Sequence, residues 1–298
     1  MEWLKKCLWS LRQSEYPCHI ICIDNRSTDN TVSFIKNNFP DITLIEAEKN
    51  LGFGQANNIG LQLALQANAQ HVFLLNQDAW INNDTIAILV KAQTNNPEWG
   101  IISPIHLNGS GDKMDIYFQQ YLIQSDIEHP TNYDTLSFPG KNTIINTKFV
   151  NAAAWLISSN CINKVGGFDP IFFHYGEDTN YVQRVLNIGF KIGIHTGCSI
   201  YHDRENRILN TSYNLKKQLE KDWVFFLTQA CDIQQSNFKT FITKRFLRHS
   251  FLILKNTVKF NTIGIQYHFN MATKILFSFP QISKSRHITT TTSCPHLY

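Results

Sequence analysis

The sequence predicts an α/β protein, a mostly parallel sheet flanked by helices, with a helical extension at its C-terminal end. Three observations carry that expectation. Short apolar runs alternate with segments of helical periodicity through the first half of the chain, as strand–helix–strand units do. Acidic residues stand at or just beyond the ends of strand-like runs, at the rim where such sheets bind ligands. From about residue 211 the pattern turns helical, basic and aromatic, which divides the chain into an α/β domain at 1–210 and an extension at 211–298.

Each element has its own signal. Trp3, Cys7, Leu8 and Leu11 share one helical face with Lys5 and Lys6 turned away, and Tyr16-Pro17 stops that helix. His19 to Ile23 is a short buried strand. Ser27-Thr28-Asp29 supplies N-cap chemistry for a helix to about Asn38, and Phe39-Pro40 closes it. Ile42 to Ile45 is the next strand. Ala56, Ile59, Leu63 and Ala67 mark a third helix, and His71 to Leu75 a further strand. Residues 106–145, rich in Asn, Gly, Asp and Ser, are expected as long loops with an inserted hairpin. Apolar character returns from Val150 to Ile157. Glu177 and Asp178 begin a helix carrying Tyr181, Val182 and Val185, and Gly189 to Ile194 is one more strand. No internal repeat is visible, and Thr289–Thr292 reads as a frayed tail.

Composition sets the class. At 298 residues, 43% hydrophobic and 17% charged, the chain is globular with a sizeable core, which excludes a disordered protein. Its seven cysteines are scattered without a Cys-x-x-Cys pair, which argues against a zinc knuckle or a disulfide framework and for reduced thiols in a cytosolic protein. No apolar run approaches bilayer-spanning length and no signal-peptide pattern opens the chain, so a cytoplasmic location is expected. Charge is uneven: residues 1–210 carry −5 and residues 211–298 carry +9. The acidic body argues against a nucleic-acid partner. The basic tail is either a solvated face or a surface for something negative.

Several polar residues then stand out. Asp24 follows the strand ending at Ile23, and Asp78 ends Asn76-Gln77-Asp78 after the strand at Leu75. An acid after a strand also serves as a turn former or N-cap, so neither is diagnostic alone. Together they place two carboxylates on one rim, and Asp78 suits a divalent cation that neutralises a leaving diphosphate. Gly166-Gly167-Phe168-Asp169-Pro170 shapes a turn, and the aromatics of Phe172-Phe173-His174-Tyr175 can wall a sugar site. Glu177 and Asp178 are fit to act as general base, although any first helical turn favours acids. His202, after the late strand, is either structural or a metal ligand through its neutral imidazole.

These pieces together resemble family-2 glycosyltransferases of the GT-A fold, in particular the bacterial rhamnosyltransferase-like members that build surface polysaccharides. The resemblance covers about residues 3–204. It runs from Ile23-Asp24-Asn25-Arg26-Ser27-Thr28-Asp29 through Asn50-Leu51-Gly52-Phe53-Gly54 and Asn57-Asn58-x-Gly60. It continues with Leu75-Asn76-Gln77-Asp78, Val150-Asn151-Ala152-Ala153, Gly166-Gly167-Phe168-Asp169, Glu177-Asp178 and Tyr201-His202. It implies the nucleotide-diphospho-sugar transferase fold and a single inverting displacement. The donor, a sugar linked to dTDP or UDP, would meet Asp24, Asn25, Ser27, Asn50, Gly52, Asn57, Asn76, Gln77 and Asp78. Asp78 takes the metal-binding position of the family's Asp-x-Asp motif, with Asn76 where many members carry the first Asp, and Mg²⁺ or Mn²⁺ is the implied cofactor. Asp178 is the implied general base with Glu177 beside it, and His202 a second metal ligand. Asn151, Ala152, Ala153, Phe173 and Tyr175 fall to the side of the acceptor, a glycan or lipid-linked glycan.

Family members normally open with a Val/Ile-rich strand that lines the nucleotide pocket, whereas this chain enters a helix at Met1-Glu2-Trp3. A start assigned too far downstream, a truncated gene, or a non-catalytic remnant of the same fold are the readings of that departure. Gly52-Phe53-Gly54 also imitates a dinucleotide fingerprint, but it lacks the third glycine and does not follow a strand directly, which disfavours an oxidoreductase. In the tail, Lys244, Arg245, Arg248, Lys255 and Lys259 interleave with Phe241, Ile242, Phe246, Leu252, Ile253 and Phe260. Such helices dock on anionic membranes, here the cytoplasmic leaflet, or serve as a lid or dimer contact.

Overall fold

A computed structural model of the chain describes residues 2–124, 142–204 and 214–297. Helix α1 (Glu2–Arg12) leads into β1 (Ile21–Asp24), α2 (Thr31–Asn38), β2 (Thr43–Glu46), α3 (Gly52–Gln66) and β3 (His71–Leu75). Then come β4 (Ala79–Ile81), α4 (Thr85–Asn95), β5 (Trp99–Leu107), α5 (Ile116–Gln124), β6 (Ile144–Asn146), β7 (Ala154–Ser158) and α6 (Ser159–Val165). Helix α7 (Glu177–Asn187), strand β8 (Lys191–His202) and helices α8 (Leu215–Cys231), α9 (Phe238–Val258) and α10 (Thr262–Thr291) complete the chain.

The α/β class and the helical C-terminal region hold, but the sheet is mixed. Six strands run in the order β3-β7-β5-β8-β4, with β6 beside the first half of β8. Pairing within it is parallel between β5 and β8 and antiparallel elsewhere. The strands that signal themselves in the sequence are those joined by helices. β4 and β6, three residues each, are too short to show a period, and they supply two of the antiparallel pairs. Strands β1 and β2 pair in parallel as a separate two-stranded sheet.

Helices cover both faces of the large sheet. On β7, Trp155 and Ile157 enter one core with Phe168, Tyr181 and Val182, while Ala154 and Leu156 enter the other with Ile86 and Leu89. That alternation is the two-residue period of a strand buried on both sides. β8 changes face midway. Pro104 pairs with His195 but Ile105 pairs with Ser199, so three extra residues bulge from β8. An odd insertion inverts the alternation: Ile192 and Ile194 face the first core, Cys198 and Ile200 the second. The bulge therefore sets where His202 arrives.

Four sequence expectations are corrected. Trp3 is exposed, and Leu4 takes the buried place with Cys7 and Leu8, because the face turned to α2 is centred on Leu4 and Leu8. The segment 106–145 holds the end of β5, α5 and β6 as well as loops. The start of α2 falls later than Ser27-Thr28-Asp29, after Asn30, whose own side chain makes no cap bond; Asp29 still serves the helix end by accepting from the Thr31 N–H (3.1 Å). Thr289–Thr291 form the last turn of α10, and the residues after them are packed: Leu297 is buried and joins the main core with Cys294. The 210/211 boundary lies outside the described residues.

Candidate active site

The rim gathers first around Asp78. After β3, the Asn76 N–H donates to the Ala153 carbonyl (2.9 Å) and the Ala79 N–H to the Asn76 carbonyl (3.0 Å), a tight turn that brings the chain into β4. In the β4–β8 ladder Ala79 lies opposite His202, and the Asp203 N–H donates to the Asp78 carbonyl (3.2 Å). The register alone thus sets Asp78 against His202, with Oδ1 3.3 Å from Nε2 and both residues buried. The pair is not aligned as a hydrogen bond, and neither ring nitrogen of His202 has a hydrogen-bond partner among the described residues. Buried polar atoms are rarely left so. His106 lies beside it, ring centroids 6.1 Å apart, with Nε2 3.0 Å from the Ser103 hydroxyl. Burial, reinforced by the neighbouring His202 and Arg204, pushes its pKa well down and keeps it neutral.

Asp78 and His202 fit a divalent cation as two of its ligands, one oxygen and one imidazole nitrogen, and the buried Nε2 left without a hydrogen bond is the observation that favours it. No group of three or more His, Cys, Asp or Glu converges among the described residues, so a diphosphate and water would have to fill the other positions.

The small sheet contributes the second part of the rim. Asp24 ends β1, buried, and its Oδ2 accepts from the Ser27 N–H (3.0 Å). Asn25 is committed to the backbone at the head of α3: Oδ1 accepts from the Leu51 N–H (2.7 Å) and Nδ2 donates to the Gly52 carbonyl (3.1 Å). Asn50 closes the same loop by accepting from the Gly52 N–H (2.9 Å). Gly52 has φ +76, and a Cβ there would lie 2.1 Å from the Phe173 carbonyl oxygen. Only glycine lets that loop touch the segment before α7. Asn57 bonds back to Phe53 within its helix, and its neighbour Asn58 does the bridging.

The acid pair forms the third part. Glu177 is buried, its Oε2 has no hydrogen-bond partner among the described residues, and burial pushes its carboxyl up to about 7. Asp178 is likewise raised by burial, opposed by hydrogen bonds from the N–H and hydroxyl of Thr179 and the N–H of Ala152. Phe173 and Tyr175, in the loop before α7, are exposed, and Tyr175 (φ +68) precedes Gly176 (φ +89). Two successive left-handed residues, one of them aromatic, concentrate strain in this loop.

The turn of Asn151, Ala152 and Ala153, just ahead of β7, joins the centres. The Ala153 carbonyl accepts from the Asn76 N–H on one side, and on the other the nearby Ala152 N–H favours the Asp178 carboxylate against burial. Asn151 is buried there with Oδ1 unpartnered among the described residues. A cavity of about 860 Å³ opens beside the acid pair, with Gly176, Thr179 and Tyr121 on one side and Val224, Phe225 and Arg245 on the other. A second cavity, about 620 Å³ near Trp99 and Asn142, lies away from all of these carboxylates.

Three features of the site lie outside the candidate residues read from the sequence. Asn58 clasps the turn ahead of α7: Oδ1 accepts from the Phe168 N–H (2.7 Å), and Nδ2 donates to the carbonyls of Phe168 (2.8 Å) and His296 (3.1 Å). The final residues hold that turn from its other face. The Gly167 N–H donates to the Pro295 carbonyl (2.9 Å), the Ser285 hydroxyl donates to Asp169, and His296 Nε2 lies 3.7 Å from the Asp169 carboxylate. Arg204, two residues past His202, pairs with Asp115 and lies 4.8 Å over the Tyr117 ring. Asn58 is legible only as part of Asn57-Asn58-x-Gly60; the others join distant segments.

A sequence profile described as Glycosyl transferase family 2 matches residues 2–152. The dTDP-rhamnosyl transferase RfbF of Shigella flexneri is 23% identical over 188 residues, 63% of this chain and 60% of that protein. An N-acetylglucosaminyl-diphospho-decaprenol L-rhamnosyltransferase of Mycobacterium tuberculosis is 24% identical over 195 residues, 59% of this chain and 64% of that one. The chain thus spans less than two thirds of either relative. The structure of S. aureus TarS 1–349 in complex with UDP-GlcNAc matches with a TM-score of 0.52 at 15% identity, over 79% of this chain and 64% of that one. GalNAc-T7 with UDP, GalNAc and Mn²⁺ matches with a TM-score of 0.50 at 13% identity, over 78% of this chain and 49% of that one. At such identities the likeness is one of fold.

Proposed function

Because the chain belongs to glycosyl transferase family 2, we propose that it moves a hexose, rhamnose first among the candidates, from a nucleoside-diphosphate donor to a hydroxyl of a surface-polysaccharide or lipid-linked glycan. The donor would be linked to dTDP or UDP; the name of the Shigella relative supports the first, the ligand of the TarS structure the second. The observation that carries the reading is the turn of Asn151 to Ala153 just ahead of β7, whose Ala153 carbonyl accepts from Asn76 of the Asp78 turn while its Ala152 N–H lies close enough to Asp178 to favour the carboxylate. A donor at the first and an acceptor at the second would meet across it.

In this reading Asp24, Ser27 and Asn50 line the nucleoside end, with Asn25 and Gly52 shaping the loop and Asn57, Asn76 and Gln77 beside it. Asp78 and His202 hold Mg²⁺ or Mn²⁺, which when bound supplies neutralisation of the leaving diphosphate. Asp178 takes the proton from the attacking hydroxyl as its oxygen bonds to the anomeric carbon and the bond to the diphosphate breaks. Base and leaving group then lie on opposite faces of the sugar, which inverts the centre. Glu177, Phe173 and Tyr175 stand on the acceptor side with the 860 Å³ cavity as entry. Burial helps Asp178 as a base, since a raised pKa strengthens its affinity for the proton.

Calorimetric titration with dTDP and with UDP, each with Mn²⁺ and with chelator, tests the donor half. Binding that needs the metal, and that Asp78→Ala weakens by about tenfold or more, is expected from the loss of one of two protein ligands. Binding indifferent to chelator and to Asp78→Ala, or no binding at all, would overturn it.

A further inference from the structure

We propose that the hairpin of α9 and α10 is a docking surface for an anionic lipid bilayer, with the turn at Phe260 and the outer stripe of α9 seated at headgroup level. The inference deepens the reading of a lipid-linked acceptor and rests on it for purpose, although its geometry stands alone.

The stripe is continuous. Leu247, Phe251, Leu254 and Val258, at i, i+4, i+7 and i+11, run along one face of α9, and each is more than half exposed. The stripe ends at Phe260 in the turn, 90% exposed and held at φ +53, with Ile263 beyond it at 56%. From Leu247 to Val258 this is roughly 16 Å of helix. Apolar side chains exposed singly need no explanation, but a stripe of this length rimmed by charge marks a surface for a partner. The opposite side of the hairpin is fixed to the body: Ile242, Ile275 and Ile282 are buried with Phe226, Leu227 and Ala230 of α8. The stripe is therefore presented outward by a fastened element.

Charge identifies the partner. Residues 238–298 contain nine Lys and Arg and neither Asp nor Glu. Lys244, Arg248, Lys255 and Lys259, all exposed, stand along or next to the stripe. Two copies joined through this same surface would bring like charge against like charge. An anionic bilayer answers both properties, apolar depth for the stripe and negative headgroups for its rim. Among the described residues no helix is long and apolar enough to cross a membrane, as a helix lying in the interface requires. The same α9 begins at the site, since Phe241 and Arg245 line the cavity beside Glu177 and Asp178. A lipid-linked acceptor arriving along the bilayer would reach that cavity from the docked side.

The test is sedimentation of the full chain with vesicles of phosphatidylcholine alone and of phosphatidylcholine mixed with phosphatidylglycerol. Binding to the mixed vesicles, absent on the neutral ones and weakened by salt, is expected. The triple variant Leu254→Ser, Val258→Ser, Phe260→Ser should lose about tenfold or more in vesicle affinity. Because these side chains are exposed, its unfolding midpoint and nucleotide binding should match the parent. Failure of the parent to bind mixed vesicles, or undiminished binding by the triple variant, would overturn the proposal. So would a parent dimer in light scattering that the triple variant dissolves while vesicle binding persists, which would assign the stripe to a second copy. Vesicle binding without nucleotide binding would sustain the docking surface and overturn the transfer reading; the reverse result would do the opposite.

Discussion

The two acidic centres of the site are held by different physics. At the Asp78–His202 centre the ladder does the placing: strand register puts two side chains within 3.3 Å, and only backbone bonds are needed. At the Glu177–Asp178 centre placement comes from a strained loop, a glycine turn and the final residues of the chain. The first centre leaves a histidine without a hydrogen bond, fit for a cation; the second leaves carboxyls whose protons are held by burial. A ladder is stiff and suits a metal site that tolerates little error in distance. A helix start closed by burial suits an acid that must bind and release a proton.

The largest effect that would break this comparison is on turnover. Asp178→Asn keeps the shape and removes the proposed base, so transfer should fall on the order of 10²- to 10⁴-fold while metal-dependent nucleotide binding stays within about twofold. Steady-state kinetics beside calorimetry separate the two. Normal turnover would move the base to another group, and loss of nucleotide binding would mean the centres are not independent.

Next in size is the clamp behind the acid pair. A Cβ at Gly166 would lie 1.8 Å from the Pro295 carbonyl oxygen, at φ +81. Gly189 also has a positive φ, +92, but nothing lies within 4 Å of its added Cβ. Gly189→Ala therefore measures the cost of a positive φ alone, about 1 kcal/mol, whereas Gly166→Ala, where a ψ of −154 and the close carbonyl add to it, should cost about 2–4 kcal/mol in denaturant unfolding. Transfer should fall with Gly166→Ala and not with Gly189→Ala. Equal costs would show that the last residues do not hold the turn.

The same contrast explains which parts of the molecule are legible in the sequence. Asp78 and Asp24 are legible because a strand end is a local event, an apolar run with an acid after it. β3 is readable to the residue for the same reason, and α7 from the spacing of Tyr181, Val182 and Val185. Antiparallel pairing through β4 and β6 is not, since three residues carry no period. Nor is the packing of the chain's last residues, where Thr289–Thr292 reads as a frayed tail. His296, a few residues beyond that run, is held by Asn58, more than 200 residues away, a contact with no local signature. His202 is visible as a residue, but its meeting with Asp78 depends on the bulge that shifts β8 by three residues.

The smallest effect sharpens the comparison most, because it reads burial directly. Glu177 is pushed up to about 7, first by burial and then by the charge of Asp178, against the pull of its own backbone hydrogen bond. A carboxyl whose folded pKa lies above its unfolded value of 4.5 favours the native state in its protonated form. That advantage is complete below about pH 4.5 and is lost as pH rises through 7, where folding must bury a carboxylate whose Oε2 has no hydrogen bond among the described residues. Glu177→Gln cannot ionise, so its stability should match the parent near pH 4 and exceed it by about 1–3 kcal/mol at pH 8. Denaturant midpoints at the two pH values measure this. A pH-independent difference would mean that the carboxyl is hydrated in the native state, and the contrast between a centre set by register and one set by burial would fall with it.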